Sequence, residues 1–310
     1  MTVINNLQII SFYRFINIKN KKKLKNNIEL YLKNKNVRGT ILLASEGINA
    51  SLTGIEIELL ETIKFLKRCL NIRKLKLKIN KVNYLPFNKM KIRLKKEIVS
   101  LGKGVLDVER LKGELVSPVE WNELIRNKKT KIVDVRNTYE IEIGRFEESI
   151  NPNTNTFREF ANKFEMLNID KGTDIAMYCT GGIRCEKASS YLKKSGYKNV
   201  YQLDGGILNY LDYKNKHRKS MSYWNGDCFV FDDRVAVNKN LLRGKYIQCY
   251  GCRGAIAKKD IKSKYYKKGV YCPKCYKLRS FRQKKNSETR QRQIELNRKK
   301  NIKENFQKIF

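Results

Sequence analysis

Apolar residues recur along this chain with two periods, one near 3.6 and one of 2, and each assigns an element. Leu7 to Phe15 is apolar and rich in β-formers, which predicts a strand. Leu24, Ile28 and Leu32 stand at helical spacing and predict a helix over Lys22 to Leu32. Val37 to Ala44 and Ile48 to Leu52 read as two further strands joined around Glu46-Gly47. Leu59, Ile63, Leu66 and Leu70 mark one face of an amphipathic helix over Ile55 to Leu70, and Cys69 on it is expected in the core. Leu75, Leu77 and Ile79 alternate with lysines and predict a strand over Arg73 to Ile79. Residues 81–116 hold Pro86, Gly102, Gly104 and Gly113 and read as a connector with little core of its own. Ser117-Pro118-Val119-Glu120 then offers an N-cap, a first-turn proline and a glutamate three residues after the cap. The helix it opens continues through Trp121, Leu124 and Ile125. Lys131–Val135, Thr173–Tyr178 and Asn199–Leu203 read as buried strands. A helix from Glu186 to Lys194 stops at Gly196, and another starts after Gly205-Gly206.

The order βαββαβ over residues 1–80 is the ferredoxin-like α+β pattern. Strands alternating with helices over 117–219 predict a doubly wound parallel sheet, so the fold class is α/β. Residues 220–280 hold five of the eight cysteines and are expected to form a small Cys-rich domain. Residues 281–310 form a basic tail with sparse apolar positions (Ile294, Leu296, Ile302), a solvated helix or a disordered segment. Apolar runs such as Ile41 to Ala44 are too short to span a membrane, so no membrane partner is expected. Residues Met1 to Ile18 lack a basic region and a small-residue cleavage site, which points to a cytoplasmic protein.

Charge adds a partner. The net charge is +37, from 67 Lys and Arg against 30 Asp and Glu. Residues 1–110 carry 24 basic and 8 acidic groups, residues 111–215 carry 16 and 15, and residues 216–310 carry 27 and 7. The drift of an AT-rich genome would spread such charge evenly. A near-neutral middle between two basic flanks instead suggests that the flanks hold a polyanion against a central site.

The central site has a candidate nucleophile. Cys179, Thr180, Gly181, Gly182, Ile183 and Arg184 lie between a strand and a helix. A loop there turns its N–H groups inward, the paired glycines permit positive φ, and the helix presents its positive end. A thiol in that cup is expected to ionise near neutral pH, aided by Arg184. The plain alternative is a buried structural cysteine at a strand end. Cys185 could act as a resolving thiol, but packing in the first helical turn is the favoured reading. The single histidine, His217, sits in a basic stretch that reads as a solvated loop, which excludes two-histidine metal chemistry. No dinucleotide-binding glycine fingerprint and no P-loop is present, so no organic cofactor is expected.

Cys249-Tyr-Gly-Cys252 and Cys272-Pro-Lys-Cys275 are two C-x2-C knuckles nineteen residues apart. This spacing fits a closed four-thiolate structural zinc site. An iron–sulfur cluster is the sharper alternative, and two disulfides the weaker one for an intracellular chain.

A Cys and an Arg with four residues between them, Cys179 and Arg184, resemble the rhodanese active-site loop. Asp134-Val-Arg136 with Glu140 resembles that family's early D-x-R strand, and Asp204-Gly205-Gly206 its closing motif. Gly39 to Asn49, Gly181 to Lys187 and Gly226 to Val235 are together similar to the rhodanese-like tRNA uridine(34) 5-hydroxylases. That resemblance extends to about Glu295 and implies a ferredoxin-like domain, a rhodanese domain and a Cys-rich tail. It further implies oxygen-dependent conversion of uridine 34 of tRNA to 5-hydroxyuridine, with Cys179 as thiolate or persulfide and molecular oxygen as co-substrate. The thiolate could add to carbon 6 of the ring, or a persulfide could be oxidised in place. A sulfurtransferase that moves sulfane sulfur through a Cys179 persulfide is the alternative, although a small donor needs neither the basic flanks nor a third domain.

Overall fold

The computed structural model describes residues 7–307, with side chains through Asn297. The expectations for residues 1–6 and for the last three residues of the tail lie outside the described residues, as do the contacts of Ile302.

The first unit follows the pattern of its apolar residues. In chain order it comprises β1 (Leu7–Phe15), α1 (Lys21–Leu32), β2 (Arg38–Ala44), β3 (Gly47–Ile55), α2 (Glu56–Cys69), β4 (Lys78–Lys81) and β5 (Met90–Leu94). The sheet order is β4-β1-β3-β2-β5, and its first four strands are antiparallel as the ferredoxin-like pattern requires. Strand β1 is apolar on both faces for a reason. Ile10 and Phe12 meet the helices through Ile28, Leu59, Ile63 and Leu66. Phe15 on the other face joins the core of the second unit, so the sheet is covered on both sides.

Three expectations change here. Strand β4 begins at Lys78 rather than Arg73, because the chain ahead of it leaves the sheet edge and Lys76 pairs with Asp204 of the second unit. Cys69 is exposed rather than in the core, since it stands one step off the end of the stripe ending at Leu66 and Leu70. Residues 81–116 are not a connector. Strand β5 adds to β2 in parallel register, with Ile92 opposite Ile41. Ile98, Leu101, Leu106 and Val108 are buried in the second core. These residues are spaced too irregularly to show a period, yet each finds a pocket in a packed surface.

The second unit contains α3 (Val108–Leu111), β6 (Glu114–Val116), α4 (Pro118–Arg126), β7 (Lys131–Asp134), α5 (Thr138–Ile141), β8 (Gly144–Phe146), α6 (Phe160–Glu165), β9 (Ile175–Tyr178), α7 (Ile183–Lys194), β10 (Val200–Leu203) and α8 (Gly206–Lys216). Strands β6-β10-β9-β7 form one parallel sheet, with β9 buried along its whole length. The expected capping box opens α4. Ser117 Oγ accepts from the Glu120 N–H, and Glu120 accepts from the Ser117 N–H at 2.7 Å. Such a cap contributes about 1 kcal/mol. His217 caps the end of α8 and is exposed, as its basic surroundings suggested.

The remaining chain is built of short pieces: β11 (Trp224–Gly226), β12 (Cys228–Phe229), β13 (Ala236–Val237), β14 (Ile247–Gln248), β15 (Ala255–Ile256) and α9 (Lys258–Ile261). Strand β11 pairs with β8, and Trp224, Cys228 and Val230 enter a third core, on the other face of the second sheet, with Ile132, Ala176 and Tyr178. The tail forms one long helix, α10 (Phe281–Gln307). Its first turns are docked rather than free: Ser287 is buried and bonded to Arg279, and Arg290 donates to the carbonyls of Tyr250 and Gly269. Among the described residues, no helix is long and apolar enough to cross a membrane.

Candidate active site

Strand β9 delivers Cys179 to the C-terminal edge of the parallel sheet, and α7 begins four residues later at Ile183. The turn between them closes around the sulfur. The Gly182 N–H donates to Cys179 Sγ at 3.1 Å, and the N–H groups of Gly181 and Cys185 also bond to it. Gly182 holds φ +100°, and a Cβ there would meet the Tyr13 hydroxyl at 2.8 Å. Gly206, at φ +65°, seals the other side, where a Cβ would stand 2.3 Å from the Cys179 carbonyl oxygen.

Burial alone would push the Cys179 thiol up. The hydrogen bond from the Cys185 thiol, the charge of Arg184 and the N–H groups of Cys185 and Gly181 outweigh it and bring Cys179 down to about 5. Desolvation and the neighbouring sulfur hold the Cys185 thiol well above its usual range, so it remains a proton donor. Cys185 is packed in the first turn of α7, as favoured, and its buried thiol lies beside Cys179.

Arg184 does not bond to the sulfur. Its two terminal nitrogens grip the Glu140 carboxylate at 2.6 and 2.8 Å, with both side chains buried. Glu140 in turn accepts from the Asn137 N–H, which orients it from α5. Burial would raise Glu140, but Arg184 and then Arg136 hold its carboxyl below the usual range. Arg136 spans Asp134 through two nitrogens and donates to the Gly144 carbonyl, all within the interior. The D-x-R pair therefore braces the end of β7, and Glu140 braces the arginine of the cysteine loop.

The first unit roofs this loop. The Tyr13 hydroxyl of β1 donates to Glu186 Oε1 at 2.7 Å. Lys78 of β4 donates to the carbonyls of Gly181 and Gly205. Lys187 of α7, wholly buried, is held by Glu46 at 2.7 Å and Glu97 at 2.5 Å. From the other side Phe231 lies 5.7 Å from the Arg184 guanidinium and is 64% exposed. Cys179 itself has no exposed surface, so the loop is covered over rather than an open cup.

The four knuckle cysteines converge. Cys249 and Cys275, and Cys252 and Cys272, stand with sulfurs 3.9 Å apart, and Cys272 and Cys275 at 3.8 Å. All four sulfurs lie within 4.8 Å of one another. Four thiolates about 2.3 Å from one zinc ion lie about 3.8 Å apart, so the set fits a tetrahedral ion and is far too wide for disulfides.

Two family models match the chain: the UPF0176 acylphosphatase like domain over residues 7–98, and the rhodanese-like domain over residues 117–212. A protein of Pelagibacter ubique named tRNA uridine(34) hydroxylase is 45% identical over 97% of this chain and 99% of its own. One of the same name from Acaryochloris marina is 40% identical over 94% of each. The chain belongs to the tRNA uridine(34) hydroxylase family. A solved rhodanese-related protein from Thermoplasma volcanium is similar over 32% of this chain and 92% of that one, at 23% identity and TM-score 0.28.

In this family member the stretches quoted above meet in space. Glu46 from Gly39–Asn49 reaches Lys187 from Gly181–Lys187, and Phe229 from Gly226–Val235 accepts from Thr180 at 3.5 Å. Tyr13, Lys78, Lys187 and Phe231 were not singled out from the sequence. Lys78 looked like one more solvated lysine on an alternating strand. Phe231, an aromatic inside Gly226–Val235, and Lys187, the end of Gly181–Lys187, were the available signals.

Proposed function

We propose that this chain hydroxylates carbon 5 of uridine 34 in tRNA, with Cys179 as the reacting thiolate. The identity over nearly the full length of relatives so named carries the reading. The environment of Cys179 supports the residue assignment, because a thiol held near 5 is ionised at neutral pH and is a ready nucleophile. Addition of Cys179 to carbon 6 of the ring would make carbon 5 electron-rich toward an oxidant. Molecular oxygen is the co-substrate, one atom entering the base and the other leaving as water, so an external reductant supplies an electron pair. The roof must open for a base to arrive, and the exposed ring of Phe231, beside Arg184, would stack on it as the base splays out of its loop. The basic flanks supply affinity for the tRNA backbone. A cleft of about 640 Å³ lined by Lys21, Lys95, Lys96 and Arg158 offers phosphate contacts beside Glu97. Cys249, Cys252, Cys272 and Cys275 would hold a structural zinc, whose role is to fix the small module and the foot of α10. The chain acts in the cytoplasm, where its tRNA is.

The test is purified protein with unmodified tRNA, oxygen and a reductant, read by nucleoside mass spectrometry. Formation of 5-hydroxyuridine at position 34 is the expected result. Release of thiocyanate from thiosulfate and cyanide, with unaltered tRNA, would favour the sulfurtransferase alternative.

A further inference from the structure

The cysteine loop is not completed by its own domain. Lys78 belongs to β4 of the first sheet, and its ammonium reaches across to the carbonyl oxygens of Gly181 and Gly205. The carbonyl of Gly181 and the N–H of Gly182 are two ends of one peptide plane. In a trans peptide these groups point in opposite directions. The N–H end donates to Cys179 Sγ at 3.1 Å. A cation that holds the oxygen end outward therefore fixes the N–H end inward, toward the sulfur. It also polarises the amide, which strengthens the donor. No cis peptide bond disturbs this geometry.

We propose that Lys78 is a positioning residue of the active site, which orients the Gly181–Gly182 peptide and so makes the acidity of Cys179 depend on the first domain. The inference rests on the assignment of Cys179 as the reacting thiolate, but its consequence is read on the sulfur itself, without tRNA. Burial lowers Lys78 to about 8, against the raising effect of Cys179, so it remains mostly charged at neutral pH. The other groups facing it are Lys76, Asp204 and Cys228, and Lys76 is itself held by Asp204. The neighbouring Lys76–Asp204 pair, at 2.5 Å, joins the same two units without touching the loop carbonyls. It therefore serves as an internal control for docking alone.

The experiment is the pH dependence of iodoacetamide labelling of Cys179 in the full chain, for the wild type and for Lys78→Met, Lys78→Arg and Lys76→Met. Trypsin cuts between Arg184 and Cys185, so mass spectrometry reads the two thiols on separate peptides. Lys78→Met is expected to raise the labelling midpoint by about one pH unit, a tenfold loss of thiolate at pH below the midpoint. Lys78→Arg should restore most of the shift, and Lys76→Met should leave the midpoint in place. An unchanged midpoint in Lys78→Met would overturn the proposal, and so would an equal shift in Lys76→Met. If Lys78→Met does not fold, Lys78→Gln replaces it with the same two outcomes. Hydroxylation assayed near pH 5.5, where such a shift lowers the thiolate fraction about threefold, separates the two readings: a shifted midpoint with an unchanged rate at that pH would remove Cys179 from the reaction and leave the positioning role standing.

Discussion

Cysteine is used in two ways in this chain, and the surroundings of the sulfur separate them. At the end of β9 one sulfur, Cys179, accepts from the Gly182 N–H and lies beside the protonated thiol of Cys185. In the small module four sulfurs lie within 4.8 Å of one another, three of the pairs at 3.8 to 3.9 Å. Donors converging on a single sulfur stabilise a free anion. Sulfurs converging on a shared centre call for a cation. The first arrangement needs a parallel sheet, a helix start and a roof from another domain. The second needs only two tight turns, which is why about thirty residues suffice for it.

Removing the metal should separate the two regions most sharply. Structural zinc in small modules contributes on the order of 10 kcal/mol to their folding. A strong chelator, or Cys272→Ser, should therefore unfold residues 249–275, while the Cys179 labelling midpoint stays put. Elemental analysis of the native protein should give about one zinc per chain. Iron with visible absorbance would replace zinc with a cluster.

Glu140→Gln strikes the other region. It leaves the buried Arg184 guanidinium without its counter-charge and should cost about 3–5 kcal/mol in thermal or denaturant unfolding. Zinc content should not change, and a loss of zinc would show that the two regions are one cooperative unit.

Cys185→Ala removes one donor to the sulfur and should raise the Cys179 midpoint by about one unit, or about 1.4 kcal/mol. In the wild type, labelling should be half-maximal near pH 5 and flat from about 6 to 8. The folded value lies below the unfolded one of about 8.5. This group therefore contributes stability that is complete above about 8.5 and is lost as pH falls toward 5.

The smallest effect on chemistry should come from α10. Charge reversal at the exposed Arg282, Lys285 and Arg292 should weaken tRNA binding and flatten its salt dependence, without changing which nucleotide is modified. Titrations at several salt concentrations would show this. An unaltered slope would make the helix charge incidental.

Much of the framework was legible from periodicity. Strand β1 and the α2 face appear in the sequence because each packs against a continuous surface. The Cys179 loop and the knuckles were legible because their spacing is short and their residue types are few. Strand β5 was missed although Met90, Ile92 and Leu94 alternate with Lys91 and Arg93, because Pro86 and the later Gly102, Gly104 and Gly113 made the whole segment read as a linker. The roof was hidden for a different reason. Tyr13, Lys78 and Glu46 lie 103 to 173 residues from the groups they bind in the second domain, and no local pattern reports such pairing. The covered state of Cys179 follows from that roof.

Nucleoside analysis of bulk tRNA from cells whose only copy of the gene carries Cys179→Ala most directly tests whether this sulfur carries the hydroxylation. The mutant protein should accumulate, hold its zinc and bind tRNA with the wild-type salt slope, while 5-hydroxyuridine and its derivatives at position 34 disappear. Normal 5-hydroxyuridine in those cells, with no other hydroxylating enzyme present, would contradict the assignment of Cys179 as the reacting group.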